Sequence, residues 1–326
     1  MFQVLSISGG GFKGLYSATL LAEIEANIDS PLARHFDLLA GTSIGGILAL
    51  AIAAEIPIAK AQRAFEQEGQ TIFGNSPSPQ GLFRMLKRAH RSPHNAGALR
   101  RTLETVFDPA LTMGDLVHPL IIPAVNLSKG DTQVFKTNHH HDFWSDQALS
   151  VVDVAMATSA APTYFPVFRM QDSLYADGGL YANAPDLMAL HEATHFMGAQ
   201  EEDLRMLSIG TTSSRFSFAA AESLRFGIMQ WFFHDRLSRA VLACQQQSVI
   251  HMMRHRLKDR YLRLDHDLSS EQERSVGLDI ATNSAQGTLK SLAHATAQNY
   301  LKHPVLTTIL EHPGSTINTS IDDQGA

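Results

Sequence analysis

Twice within its first 54 residues the chain places a short apolar strand, a cluster of glycine and other small residues, and an apolar helical stretch in succession. Gln3–Ser8 carries Val4, Leu5 and Ile7 and runs into Gly9-Gly10-Gly11, after which Leu15, Leu21, Ile24 and Ile28 mark a helix. Phe36–Ala40 is a second apolar strand, followed by Gly41-Thr42-Ser43-Ile44-Gly45 and an apolar helix over Ile44–Ala54. Further strands are expected at Leu120–Asn126, Thr132–Lys136, Leu174–Ala176 and Arg205–Ile209, with a small-residue helix over Val151–Ala161 stopped by Pro162. Strands alternating with helices predict an α/β fold whose sheet is mostly parallel and covered on both faces.

Leu38–Ala54 is a run of 17 residues without a charge, at the lower edge of what spans a bilayer. Its cluster of Gly41, Gly45 and Gly46 would break a lipid-facing helix, so a buried turn and helix are expected instead. Beyond about residue 217 the pattern becomes helical, over Phe218–Leu257 and Leu278–Leu301, with strand-like Tyr261-Leu262-Arg263-Leu264 between them. We therefore expect one domain: a catalytic core over 1–215 with a cap-like insertion at about 69–103, a helical C-terminal elaboration over 216–312, and a frayed polar tail over 313–326.

Acidic residues exceed basic ones by 32 to 26, a net charge of −6, which argues against binding a DNA or RNA polymer. The single cysteine, Cys244, excludes an internal disulfide framework and a thiolate metal cluster. Met1-Phe2-Gln3 leads straight into a strand, without a signal-peptide pattern, so cytoplasmic synthesis is expected.

Gly9-Gly10-Gly11-Phe12-Lys13-Gly14 matches G-x-G-x-x-G after a strand, but the acidic residue that a dinucleotide ribose requires at the end of the second strand is missing, since Asp37 begins that strand. Consecutive glycines let backbone N–H groups converge on an anion, whether a phosphate or an oxyanion. Gly41-Thr42-Ser43-Ile44-Gly45 is G-x-S-x-G between strand and helix, the setting of a nucleophile elbow. Its base could be one of 16 histidines, none of them in a distinctive turn, or Asp177, which ends a strand before Gly178-Gly179. His139-His140-His141-Asp142 is expected to be a polar loop and not a metal site, because adjacent histidines point apart in regular structure.

Together, the glycine loop, the G-x-S-x-G elbow and Asp177-Gly178-Gly179, in that order, resemble the patatin-like phospholipases. Ala157-Thr158-Ser159-Ala160-Ala161-Pro162-Thr163-Tyr164-Phe165-Pro166 and Asn183-Ala184-Pro185 resemble the family's flanking blocks, so the likeness covers roughly residues 3 to 211. Lys13 stands where many members carry arginine. The resemblance implies a three-layer α/β/α fold and a Ser–Asp dyad: Ser43 as nucleophile, Asp177 as base, and the N–H groups of Gly9, Gly10 and Gly11 as an oxyanion hole, each donor worth roughly 3–4 kcal/mol. It implies membrane phospholipid as substrate and neither a cofactor nor a metal.

Leu5-Ser6-Ile7-Ser8-Gly9-Gly10-Gly11 with Leu15-Tyr16-Ser17 is similar to the CapV-type bacterial members, effectors of cyclic-oligonucleotide antiphage signalling. That likeness implies a cyclic dinucleotide as allosteric activator and a cytoplasmic protein peripheral to the inner membrane when active. Between Gly69 and Leu103 lie six basic residues and no acidic one; Arg84, Lys87, Arg88 and Arg91 are candidate ligand or membrane contacts. A second basic cluster, His251, Arg254, His255, Arg256, Lys258, Arg260 and Arg263, is read first as a solvated helix end and otherwise as an anion site. Phe226, Ile228, Met229, Trp231, Phe232 and Phe233 are expected to cover the core, with a homo-oligomer interface as the alternative. Two rival functions stay open: a Ser–His–Asp esterase of small esters using His191 or His195, and a catalytically silent nucleotide sensor.

Overall fold

Successive residues of the central strands bury on opposite faces: Leu5, Leu39, Ile122 and Leu207 join one apolar cluster, and Val4, Leu38, Ile121 and Met206 the other. The computed structural model describes residues 1–74, 94–212, 231, 236–269 and 271–317, and the fold is that of these residues. Its eight strands are β1 (Phe2–Ile7), β2 (Leu38–Gly41), β3 (Leu120–Asn126), β4 (Asp131–Lys136), β5 (Phe168–Met170), β6 (Ser173–Asp177), β7 (Leu204–Ile209) and β8 (Tyr261–Leu264). They form one sheet in the order β5-β6-β3-β2-β1-β7-β8, with β4 also paired to β3. The run from β3 to β8 is parallel, and β4, β5 and β6 add antiparallel pairs at the other end.

One face carries α1 (Gly14–Glu25), α2 (Ile44–Ala53), α3 (Ile58–Phe73), α4 (Ala96–Val106) and α5 (Val151–Thr158). The other carries α6 (Asp186–His195) and α7 (Arg236–Leu257). On the first face, α8 (Asn283–Tyr300) packs along α1, and α9 (Pro304–Leu310) closes the layer through Leu306 and Ile309. The arrangement is the three-layer α/β/α fold expected from the sequence. Every residue of α2 is buried, which accounts for the uncharged run, and among the described residues no helix is long and apolar enough to cross a membrane.

The C-terminal part is more than a helical elaboration, because β8 extends the parallel sheet beyond β7. The helix expected to start at Leu278 starts instead at Asn283, where the Thr282 side chain accepts the Ala285 N–H and caps it. Residues 313–317, expected to belong to a frayed tail, are docked: Gly314 donates to the Arg34 carbonyl, Ser315 to Asp37, and Ile317 to the Val117 carbonyl, and the rest of that expected tail lies outside the described residues. The expected cap also shrinks. Gly69–Phe73 is the last turn of α3, Leu99 and Leu103 of α4 are core residues, and Arg100 pairs with Asp153. Arg84, Lys87, Arg88 and Arg91 lie outside the described residues, as do Phe226, Ile228, Met229, Phe232 and Phe233.

One detail of the sheet positions everything that follows. β4 occupies one edge of β3 over Ile121–Asn126, so β2 and β6 share the other edge. β2 runs parallel against Leu120–Ile121, β6 runs antiparallel against Ala124–Asn126, and their C-terminal ends meet head to head. Between them lies Pro123, which has no N–H to offer a ladder. Its carbonyl accepts the Thr158 hydroxyl at 2.6 Å.

Candidate active site

Ser43 follows β2 directly and has φ 56° and ψ −127°, a conformation that costs an ordinary residue about 1–3 kcal/mol. Crowding holds it there. A Cβ at Gly45 would fall on the carbonyl oxygens of Ile7 and Ser8, and one at Gly41 on the carbonyl of Gly45, so only glycines let strand and helix approach this closely. The Ser43 N–H donates to the Thr158 hydroxyl at 3.0 Å. Thr158 thus links the Pro123 gap to the strained serine, a role that its place in the Ala157–Pro166 block did not disclose. Thr158→Val, of nearly equal volume, leaves a buried N–H and a buried carbonyl unpaired and should lower stability by about 1–3 kcal/mol in urea unfolding.

Asp177 ends β6 from the opposite direction. It is buried, its Oδ1 accepts the Gly179 N–H at 2.7 Å, and its carboxylate lies beside the Ser43 hydroxyl. Burial pushes its pKa up to about 6, against the lowering effects of the Ser43 hydroxyl and the Gly179 N–H. Other buried acids are engaged elsewhere. Asp186 accepts from Ser6, Tyr261 and, at 2.7 Å, Ser208, whereas Glu192 pairs with Lys136 and His139.

In the glycine loop, the Gly9 N–H is already given to the Asn183 carbonyl at 2.8 Å, which removes Gly9 from the expected donor set. The N–H groups of Gly10 and Gly11 make no hydrogen bond among the described residues. Gly11 has φ 54°, and any side chain there would strike the Leu278 carbonyl, the same atom that accepts the Phe12 N–H at 2.8 Å. Lys13 points inward and donates to the Thr212 carbonyl; burial brings its pKa down to about 8, opposed chiefly by Asp265.

Ser43, Asp177 and the glycine loop line a cavity of about 390 Å³. Ile47, Phe65, Phe73, Leu99 and Phe165 line it from the helical layer, and Leu237, Val241 and Leu242 from α7. Leu180, Leu237 and Val241 are also more than 40% exposed, so the cavity has an apolar outer rim. α7 is held over the dyad by glutamines: Gln245 accepts the Asn183 N–H at 3.0 Å and donates to the Tyr181 carbonyl, while Gln246 accepts from the Asn183 side chain at 3.0 Å. Those two glutamines carried no motif signal.

No histidine is among the described residues lining the cavity. His191 and His195 are exposed on α6, stacked on each other at 5.1 Å. Three of the seven residues of the second basic cluster are spent on structure. Arg256 pairs with Glu201, Arg260 donates to the Glu201 and Leu204 carbonyls, and Arg263 is buried against Ser8, Ser208 and Asp265.

Comparison with known proteins agrees with this geometry. The patatin-like phospholipase family profile matches residues 5–190. A cGAMP-activated phospholipase of Pseudomonas aeruginosa is 41% identical, covering 95% of this chain and 92% of that protein. One from Vibrio cholerae is 34% identical over 95% of each chain, and one from Escherichia coli 34% identical over 87% of this chain and 85% of its own. A G-x-S-x-G elbow facing a buried D-G-G aspartate, a matching family profile over more than half the chain, and near full-length relatives lead to one assignment: the chain belongs to the patatin-like phospholipase family.

Proposed function

We propose that the protein is a serine acyl hydrolase of the phospholipase A type, which cleaves ester bonds of bacterial membrane phospholipids through Ser43 and Asp177. The observation that carries this reading is the Ser43 hydroxyl beside the buried Asp177 carboxylate in one apolar cavity, with no histidine lining it among the described residues.

Ser43 attacks the ester carbonyl as Asp177 takes its proton, and the oxyanion is received by the free N–H groups of Gly10 and Gly11. The proton passes to the leaving lysolipid alcohol, and an acyl-enzyme remains. Asp177 then removes a proton from water, whose attack releases the fatty acid and restores the serine. A base near pKa 6 is ionised at neutral pH yet basic enough to share the proton in the transition state. The apolar walls suit an acyl chain, and the exposed rim of Leu180, Leu237 and Val241 suits entry from a bilayer surface, which fits work at the inner membrane from the cytoplasmic side.

Activation by a cyclic dinucleotide is the second half of the proposal, supported by three near full-length relatives named as cGAMP-activated. With purified protein and vesicles of phosphatidylethanolamine and phosphatidylglycerol, cGAMP is expected to raise fatty-acid release at least roughly tenfold, a coupling of about 1.4 kcal/mol or more. Equal release with and without cGAMP would overturn the activation reading. No release under either condition would overturn the phospholipase reading.

A further inference from the structure

We propose that His140, His141 and Asp142 form a binding site for a divalent transition ion of the zinc class on the surface turn after β4. Adjacent histidines were expected to diverge, but in this turn their rings lie 4.0 Å apart and 39° from parallel. His140 Nδ1 lies 3.5 Å from one Asp142 carboxylate oxygen, and His141 Nε2 lies 3.4 Å from the other. One ligand atom from each residue falls within 4.8 Å of the other two. A tetrahedral ion with bonds of 2.0–2.1 Å to nitrogen and oxygen has ligand–ligand edges of about 3.3 Å, and each imidazole nitrogen already stands near that spacing from one oxygen of the Asp142 carboxylate.

The surroundings favour an ion over a simple polar turn. The Asp142 N–H donates to His140 Nδ1 at 3.3 Å, a long hydrogen bond that an ion at this nitrogen would replace. The His140 ring is held between Phe143 and Phe196, at 5.2 and 5.3 Å, so one ligand is positioned in advance. His139 is excluded from the set because it turns inward to Glu192 and Thr137. Imidazole nitrogens with one carboxylate suit Zn²⁺ or Co²⁺ more than Mg²⁺ or Ca²⁺, and the exposure of His141 and Asp142 leaves the remaining position to water.

Calorimetric titration of the untagged full chain with ZnCl₂ tests this, with Co²⁺ absorption in the visible as a second readout of tetrahedral geometry. One ion per chain is expected, and His141→Ala or Asp142→Asn should each weaken binding by more than roughly tenfold. Both side chains are largely exposed, so these variants keep the fold. A His191→Ala/His195→Ala double variant should bind as the wild type does. The proposal is overturned if the wild type takes up no ion, if the His141 and Asp142 variants bind equally well, or if only the His191/His195 variant loses binding, which would move the ion to the stacked pair on α6.

Discussion

Ser43→Ala is expected to lower activated fatty-acid release from phospholipid vesicles by roughly 10⁴-fold or more, with no compensating change in KM. In the proposed mechanism the Ser43 oxygen is the atom that Asp177 deprotonates, and without it the remaining acceleration comes only from binding and from the N–H groups of Gly10 and Gly11. Alanine inherits the same φ of 56° and the same N–H bond to Thr158, so the unfolding midpoint should move little. A fluorophosphonate probe should label the wild type and not the variant. Turnover retained in purified Ser43→Ala protein would remove the dyad.

Asp177→Asn should lose activity on the same scale and gain stability, a pairing that a merely structural aspartate would not produce. The asparagine oxygen still accepts the Gly179 N–H, but the amide cannot take a proton from Ser43. The wild-type carboxyl titrates near 6 in the folded protein and at 3.8 as a free group, so the folded state binds the extra proton between these values. Stability from this group therefore falls as pH rises through that window, and the full penalty, about 3 kcal/mol, applies above it. At pH 8 the variant should be the more stable protein in urea unfolding, with the advantage vanishing below about pH 4. Activity should follow the opposite sense: kcat/KM of the wild type rises with pH, half complete near pH 6. A variant less stable than the wild type at pH 8 would contradict the assigned burial of this charge.

Much of the fold was legible because glycine is demanded where backbones nearly touch. Gly41, Gly45 and Gly11 are local signals of close approach, and each sits against a carbonyl that no side chain would clear. Short apolar runs likewise identified the central strands. Long-range polar docking leaves no such periodic trace. Gln245 and Gln246 look like any exposed helical glutamines, yet they fasten α7 over Asn183. Gly9 could not be told from Gly10 by type; only the position of the Asn183 carbonyl separates them. The paired rings of His140 and His141 escaped notice for a similar reason, since turns do not obey the alternation that separates neighbours in strands and helices.

The shared edge of β3 makes that strand a ruler for chemistry to which it contributes no side chain. Ser43 is carried by a strand in register with Leu120 and Ile121, and Asp177 by one in register with Ala124, so the interval between the proposed nucleophile and base is set by counting residues along a third strand. One residue inserted near Pro123 would shift the two by about 3.3 Å and turn the following side chains to the other face. Rims, helices and turns can change in length without altering that interval, whereas the span from Ile121 to Ala124 cannot.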